Sequence, residues 1–160
     1  MTKTNQKLPL KEKEEASVLD AFCKVLKKRH IKYEVGENRE TADFSNREIV
    51  DFSYKRRKFI ADLDCEDDFI FIFFIHNIVV NEEDEVSLSE LKKVINATNQ
   101  LCCVNTYYKK TEETSDILVF SKATFHFVLE NPNFAIELFM ALSECLNAQY
   151  IIKEYLKKKT

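Results

Sequence analysis

The sequence predicts an α+β protein: an antiparallel sheet of five strands with helices mainly on one face, in the order α-β-β-β-α-β-β-α. Three observations predict it. Segments that alternate apolar and polar residues follow one another through short polar links, the pattern of antiparallel neighbours. Three longer segments repeat their apolar residues every three or four positions, which is the helical period. One strand, "FIFIFFIH" (Phe69–His76), is apolar on both of its alternating faces, so both faces need cover from water.

The first 11 residues are polar and predict a loose N-terminus, with a single domain over residues 12–160. From Glu12 to His30 the apolar positions Val18, Leu19, Phe22, Val25 and Leu26 make one greasy helix face. Gly36 stands where that helix and its extension would stop. Thr41–Asn46 reads as loop. "EIVDFSY" (Glu48–Tyr54) and "KFIADLDC" (Lys58–Cys65) alternate and are joined by a charged turn. "EDD" leads into the apolar strand.

The next segment, "NEEDEVSLSELKKVINATNQ", carries Ser87 and Glu90 in capping-box spacing, with Val86 and Leu91 placed as a hydrophobic staple. Leu88, Leu91, Val94 and Ile95 share its buried face. Two strands follow, Leu101–Lys109 and Ser115–Leu129, joined by "KTEET", with a bulge expected near Ser121–Lys122. Asn131 caps the last helix and Pro132 takes its first position. Phe134, Leu138, Leu142, Cys145, Leu146, Gln149, Ile152 and Leu156 form its main face.

Composition removes several functions. One glycine, Gly36, stands in 160 residues. Phosphate-cradling loops and nucleophile elbows need small residues at tight turns, so nucleotide-fold and serine-hydrolase chemistry is excluded. Net charge is −3, which gives no general attraction to nucleic acid or to an anionic membrane. The N-terminus lacks the apolar core of a secretory signal. The longest apolar run is short of the roughly 20 residues a membrane helix needs. A cytoplasmic protein with no cofactor is the expectation. Five scattered cysteines without a C-x-x-C pair do not form a zinc or disulfide framework.

The element order and three local features resemble the YbjN-like family of bacterial proteins, within the type III secretion chaperone-like fold. The features are the apolar strand "FIFIFFIH", a helix ending in the Asn96 and Asn99 pair of "INATNQ", and a strand pair running into a long terminal helix. YbjN-like proteins often carry an aromatic between the two asparagines, where this chain has Ala97 and Thr98. The resemblance implies a small antiparallel sheet, dimerisation and a regulatory or chaperone-like role without catalytic residues.

A surface for a partner is therefore expected on the sheet and second helix, built from Ile70, Ile72, Phe74, Leu91, Val94 and Val104. Large apolar side chains left in water lose about 1.5–3 kcal/mol each relative to burial, so a homodimer or a protein or peptide client would cover them. The rival expectation is a small-ligand or enzyme pocket between sheet and C-terminal helix, lined by Cys103, Tyr107, Tyr108 and His126. The acidic pair Asp62 and Asp64 shares a strand face and would be solvated there. The basic pieces Lys27–His30, Lys55–Lys58 and Lys157–Lys159 lie on different elements and predict no nucleic-acid groove.

Overall fold

The computed structural model describes residues 17–36, 47–81, 85–111, 116–128 and 131–157. The elements run α1 (Val18–Lys28), β1 (Tyr33–Val35), β2 (Arg47–Tyr54), β3 (Arg57–Asp64), β4 (Phe69–Asn81), α2 (Glu85–Leu101), β5 (Asn105–Lys110), β6 (Asp116–His126) and α3 (Phe134–Lys157). The sheet has six strands rather than five. The added strand is β1, which pairs with β2 through Tyr33↔Phe52 to Val35↔Val50. Three residues are too few for alternation to be read from sequence.

The strands form one antiparallel sheet in the order β1-β2-β3-β4-β6-β5. α1 starts at Val18, later than Glu12, because Ser17 is its cap: the backbone there is extended and the Asp20 N–H donates to Ser17 Oγ at 3.1 Å. α2 begins at Glu85, so Ser87 and Glu90 lie inside its first turns instead of at a capping box. The α3 entry also differs. Asn131 Oδ1 accepts from the Asn133 N–H at 2.9 Å, and the helix starts at Phe134, after Pro132. The loose segment 1–11, the loop 41–46 and most of the "KTEET" link lie outside the described residues, and so does the Val86 side chain.

All three described helices pack on one side of the sheet, here called the inner face. Phe22 of α1 meets Phe52 edge-on at 5.9 Å, Phe52 stacks on Phe59 at 5.6 Å, and Phe59 stacks on Phe74 at 4.7 Å. This row of rings ties α1 to three adjacent strands. α3 contributes Leu138, Leu142, Cys145 and Ala148 to the same cluster. A second cluster joins Leu91, Val94 and Ile95 of α2 to Val80, Ile117, Val119 and Ile152. No described helix is long and apolar enough to cross a membrane.

The expected bulge near Ser121–Lys122 is absent, and the irregularity sits on the partner strand. Between Ile75↔Phe120 and Val79↔Leu118, β4 advances four residues while β6 advances two. The shift is even, so Ile70, Ile72, Phe74, His76, Ile78 and Val80 all stay on the inner face and all are buried.

Candidate functional site

The alternation of β4 places Phe69, Phe71, Phe73 and Ile75 on the outer face. Registers extend that face across the sheet: Ile60 lies opposite Phe73, Asp62 opposite Phe71, and Phe120 opposite Ile75. Tyr107 of β5 lies opposite Phe120 and stacks on it at 5.6 Å. Phe69 stacks on Phe71 at 6.0 Å and meets His126 edge-on at 5.1 Å. No described element covers this aromatic stripe. Its own cations shield part of it. The Lys122 ammonium lies 4.4 Å from the Phe71 ring centre and 5.5 Å from that of Phe73, and the Arg47 guanidinium lies 5.5 Å from Phe71. Arg47 also pairs with Asp62 at 2.8 Å and Asp64 at 3.6 Å. Ile75 stays 47% exposed.

The interaction surface expected from sequence is on the wrong side of the sheet. Ile70, Ile72, Phe74, Leu91, Val94 and Val104 are all at most 2% exposed, sealed under the chain's own helices. Both faces of β4 are apolar, so alternation could separate them without telling which one the helices take. The alternative pocket residues do not converge either. Tyr107 and Tyr108 are consecutive strand residues and point to opposite faces: Tyr107 stacks on outer Phe120, while Lys92 of α2 lies over Tyr108. His126 faces outward beside Phe69. A groove of about 870 Å³ does lie between β6 and α3, lined by Tyr54, Cys103, Phe125, Phe139, Met140 and Ser143 among others. Cys103 alone of the four expected residues belongs to it.

Beneath the sheet the buried polar residues His76, Ser121 and Thr106 form a chain that the sequence does not show. His76 Nε2 lies 2.7 Å from Ser121 Oγ, and Ser121 Oγ lies 3.0 Å from Thr106 Oγ1. Asn99 closes the chain at the end of α2. Its Nδ2 donates to the Thr106 carbonyl at 2.8 Å and its Oδ1 accepts from the Thr106 N–H at 2.7 Å. Those two bonds copy a strand pairing, so Asn99 satisfies part of the outer edge of β5. Asn96, the other asparagine of the pair, is exposed. Ala97 is exposed beside it, and Thr98 turns inward, donating to the Val94 carbonyl at 2.8 Å. Asn99→Ala should lower stability by about 1–3 kcal/mol, since it strips both Thr106 backbone groups of their partner. Urea denaturation checks this, and an unchanged midpoint would remove Asn99 from the account.

The Ser121–His76 contact does not present a nucleophile. Ser121 is fully buried and its hydroxyl is held from two sides. Burial lowers the His76 pKa to about 4, with the Lys153 charge adding to the effect. Thiols are equally quiet. Burial pushes Cys145 up to about 12, and burial with Glu144 beside it pushes Cys102 up to about 11, so neither is a thiolate near neutrality. All five cysteines are free. Among the described residues no three metal-ligating side chains converge; His76 and His126 lie on opposite faces.

The described residues define an α+β class: one antiparallel sheet, three helices on one side, and an aromatic face on the other that no described element covers. No family model matches the chain, and no curated protein matches it. The fold is similar to the crystal structure of an uncharacterized protein from Methanothermobacter thermautotrophicus, with a TM-score of 0.59 at 11% identity, over 86% of this chain and 97% of that one. At that identity the likeness is one of fold.

Proposed function

We propose that the protein is a non-catalytic interaction module that pairs with a second copy of itself through the open face of its sheet. The observation that carries this is the stripe Phe69, Phe71, Phe73 and Ile75, extended by Phe120 and Tyr107, which no described element covers. Its flanks are charged in opposite senses. Asp51, Asp62 and Asp64 lie on the β2–β3 side, where Arg47 and Lys58 offset part of their charge, and Lys109 and Lys122 lie on the β6–β5 side, with Asp116 at its end. A two-fold axis through the stripe would set the acidic flank of one copy against the basic flank of the other, which is the self-complementarity a symmetric dimer needs. The YbjN-like resemblance, with its regulatory or chaperone-like role and its dimers, supports the same reading, and free thiols suit the cytoplasm.

Phe71→Asp puts a carboxylate at the centre of the stripe. It should weaken self-association roughly thirtyfold or more, the effect of losing a central anchor of about 2 kcal/mol. Sedimentation equilibrium of both proteins reads this directly. A wild-type chain that stays monomeric at high concentration would overturn the proposal.

A second reading has its own observation. Ile136 is 57% and Met140 63% exposed on α3, beside the groove of about 870 Å³. Pairing of β5 with β6 stops at Asn105↔Lys122, so among the described residues no strand pairs with β6 from Ala123 to His126 on that side. An apolar peptide added in extended form would use both the free edge and the α3 side chains.

A further inference from the structure

The antiparallel pairing of β3 with β4 ends at Ile60↔Phe73, although β3 begins three residues earlier at Arg57. The two strands part there, just where β4 enters its irregular stretch after Ile75. The gap is a cleft of about 460 Å³, within the size range of small-ligand sites. Its lining includes Arg56 of the β2–β3 turn, Arg57 and Lys58 at the start of β3, Phe73, Ile75 and His76 of β4, and Gln149 of α3. Asp51 is the one carboxylate among them.

Two features of this cleft are unexplained by folding. The first is His76. The side chain is 1% exposed, and while Nε2 is engaged by Ser121, Nδ1 is buried with no hydrogen-bond partner. A buried polar nitrogen in that state costs about 1–3 kcal/mol. The second is the turn. Lys55 and Arg56 both hold left-handed backbone, with φ of 48° and 62°, where Asn and Gly fit with less strain. Two basic residues occupy a turn that local folding would fill otherwise, and they start a run of cations at the mouth of the cleft. None of the ion pairs found among the described residues uses Arg56, Arg57 or Lys58.

We propose that this cleft binds an oxyanion, a phosphate or carboxylate group of a small molecule, between the His76 imidazole and the Arg56–Lys58 run. Ser121 can donate to Nε2, which leaves the ring proton on Nδ1 and in need of an acceptor. An anionic oxygen supplies that acceptor, and the cations offset its charge. Arg57 is the natural fork for two oxygens, because its planar guanidinium matches them in pairs. Lys153 of α3 is the charge that bears on the imidazole, and the Arg56, Arg57 and Lys58 cations and the Asp51 carboxylate line the same cleft. Burial and Lys153 oppose protonation of His76; a bound anion beside the ring would favour it.

The test is a pH titration of the His76 ring nitrogens by NMR, in the full chain, with inorganic phosphate or acetate as probe. The titration midpoint should rise by about one pH unit or more on saturation. Arg57→Ala should weaken binding of the probe about tenfold while leaving the thermal unfolding of the chain unchanged. Response to phosphate alone assigns a phosphate ligand, response to acetate alone assigns a carboxylate, and response to both assigns the shared oxyanion chemistry. A midpoint that neither anion moves, or a response that Arg57→Ala leaves intact, overturns the proposal. The cleft shares Phe73, Ile75 and Asp51 with the outer face, so the titration is repeated on Phe71→Asp, whose response to the probe should be retained whether or not copies associate.

Discussion

Replacing Phe74 by Ala should remove about 3–5 kcal/mol of stability, enough to leave a marginal domain mostly unfolded. The ring is 2% exposed at the centre of the sheet. It stacks on Phe59 at 4.7 Å and lies 5.2 Å from the His76 ring, so the vacated space is walled by rings fixed on neighbouring strand positions and cannot collapse easily. The next residue back, Phe73, points the other way and is half-buried. Phe73→Ala should cost less than Phe74→Ala, because part of the Phe73 ring stays in water in one copy and its removal opens no closed cavity. Urea denaturation at low protein concentration compares the two. The midpoint should fall steeply for Phe74→Ala with the slope unchanged, and equal effects at the two positions would contradict the division of β4 into a core face and a contact face.

Acid should destabilise the protein through His76. The unfolded chain takes up a proton as pH falls through about 6.5, while the buried imidazole holds out until about 4. Between those values the unfolded state binds more protons, so each step down in pH favours it. The contribution of the neutral ring is complete above pH 6.5 and is lost as pH falls toward 4. A depression of that size corresponds to something on the order of 3 kcal/mol. Carboxylates titrate in the same window, so the informative quantity is the difference between wild type and His76→Gln. That difference should shrink steadily from pH 7 to pH 4. A constant difference would mean that His76 is protonated in the folded state or reached by water.

These two predictions concern residues that sequence reading treated very differently. Phe74 was visible as part of an apolar strand, because "FIFIFFIH" has no polar face. The same property hid which of its faces the helices cover: with Phe and Ile on both, pattern carries no sense of in and out. The decisive cues lie elsewhere, in β3, where Phe59, Ala61 and Leu63 alternate against Ile60, Asp62 and Asp64, and register then assigns the faces of β4. β1 was missed because three residues show no period. α1 was drawn too early because charged residues before Ser17 continue the helical pattern, and only a cap bond ends it. The His76–Ser121–Thr106–Asn99 chain joins positions up to 45 residues apart, so it exists only once strand register is known. Its one signal was a histidine inside an otherwise apolar run.

The Asn99 clamp gives physical content to the paired asparagines at the end of α2. An amide side chain at a helix end is ordinary by itself. Here it occupies the place of a neighbouring strand for Thr106, and it does so from the helix that precedes β5. The turn "DCEDD" is similar. Asp64 Oδ1 accepts from the Glu66 and Asp67 N–H groups at 3.1 and 3.2 Å, so that carboxylate shapes the β3–β4 link and is not a free ligand for a cation.

The central claim is that the outer face of the sheet, and no other surface, meets a second copy. The direct measurement is an isotope-filtered NOE experiment on a mixture of labelled and unlabelled chains, which records only contacts between copies. Cross-peaks should come from Phe71, Phe73, Ile75 and Phe120. Their absence in a sample that sedimentation shows to be dimeric, or their appearance at Ile136 and Met140 of α3 instead, would contradict the account.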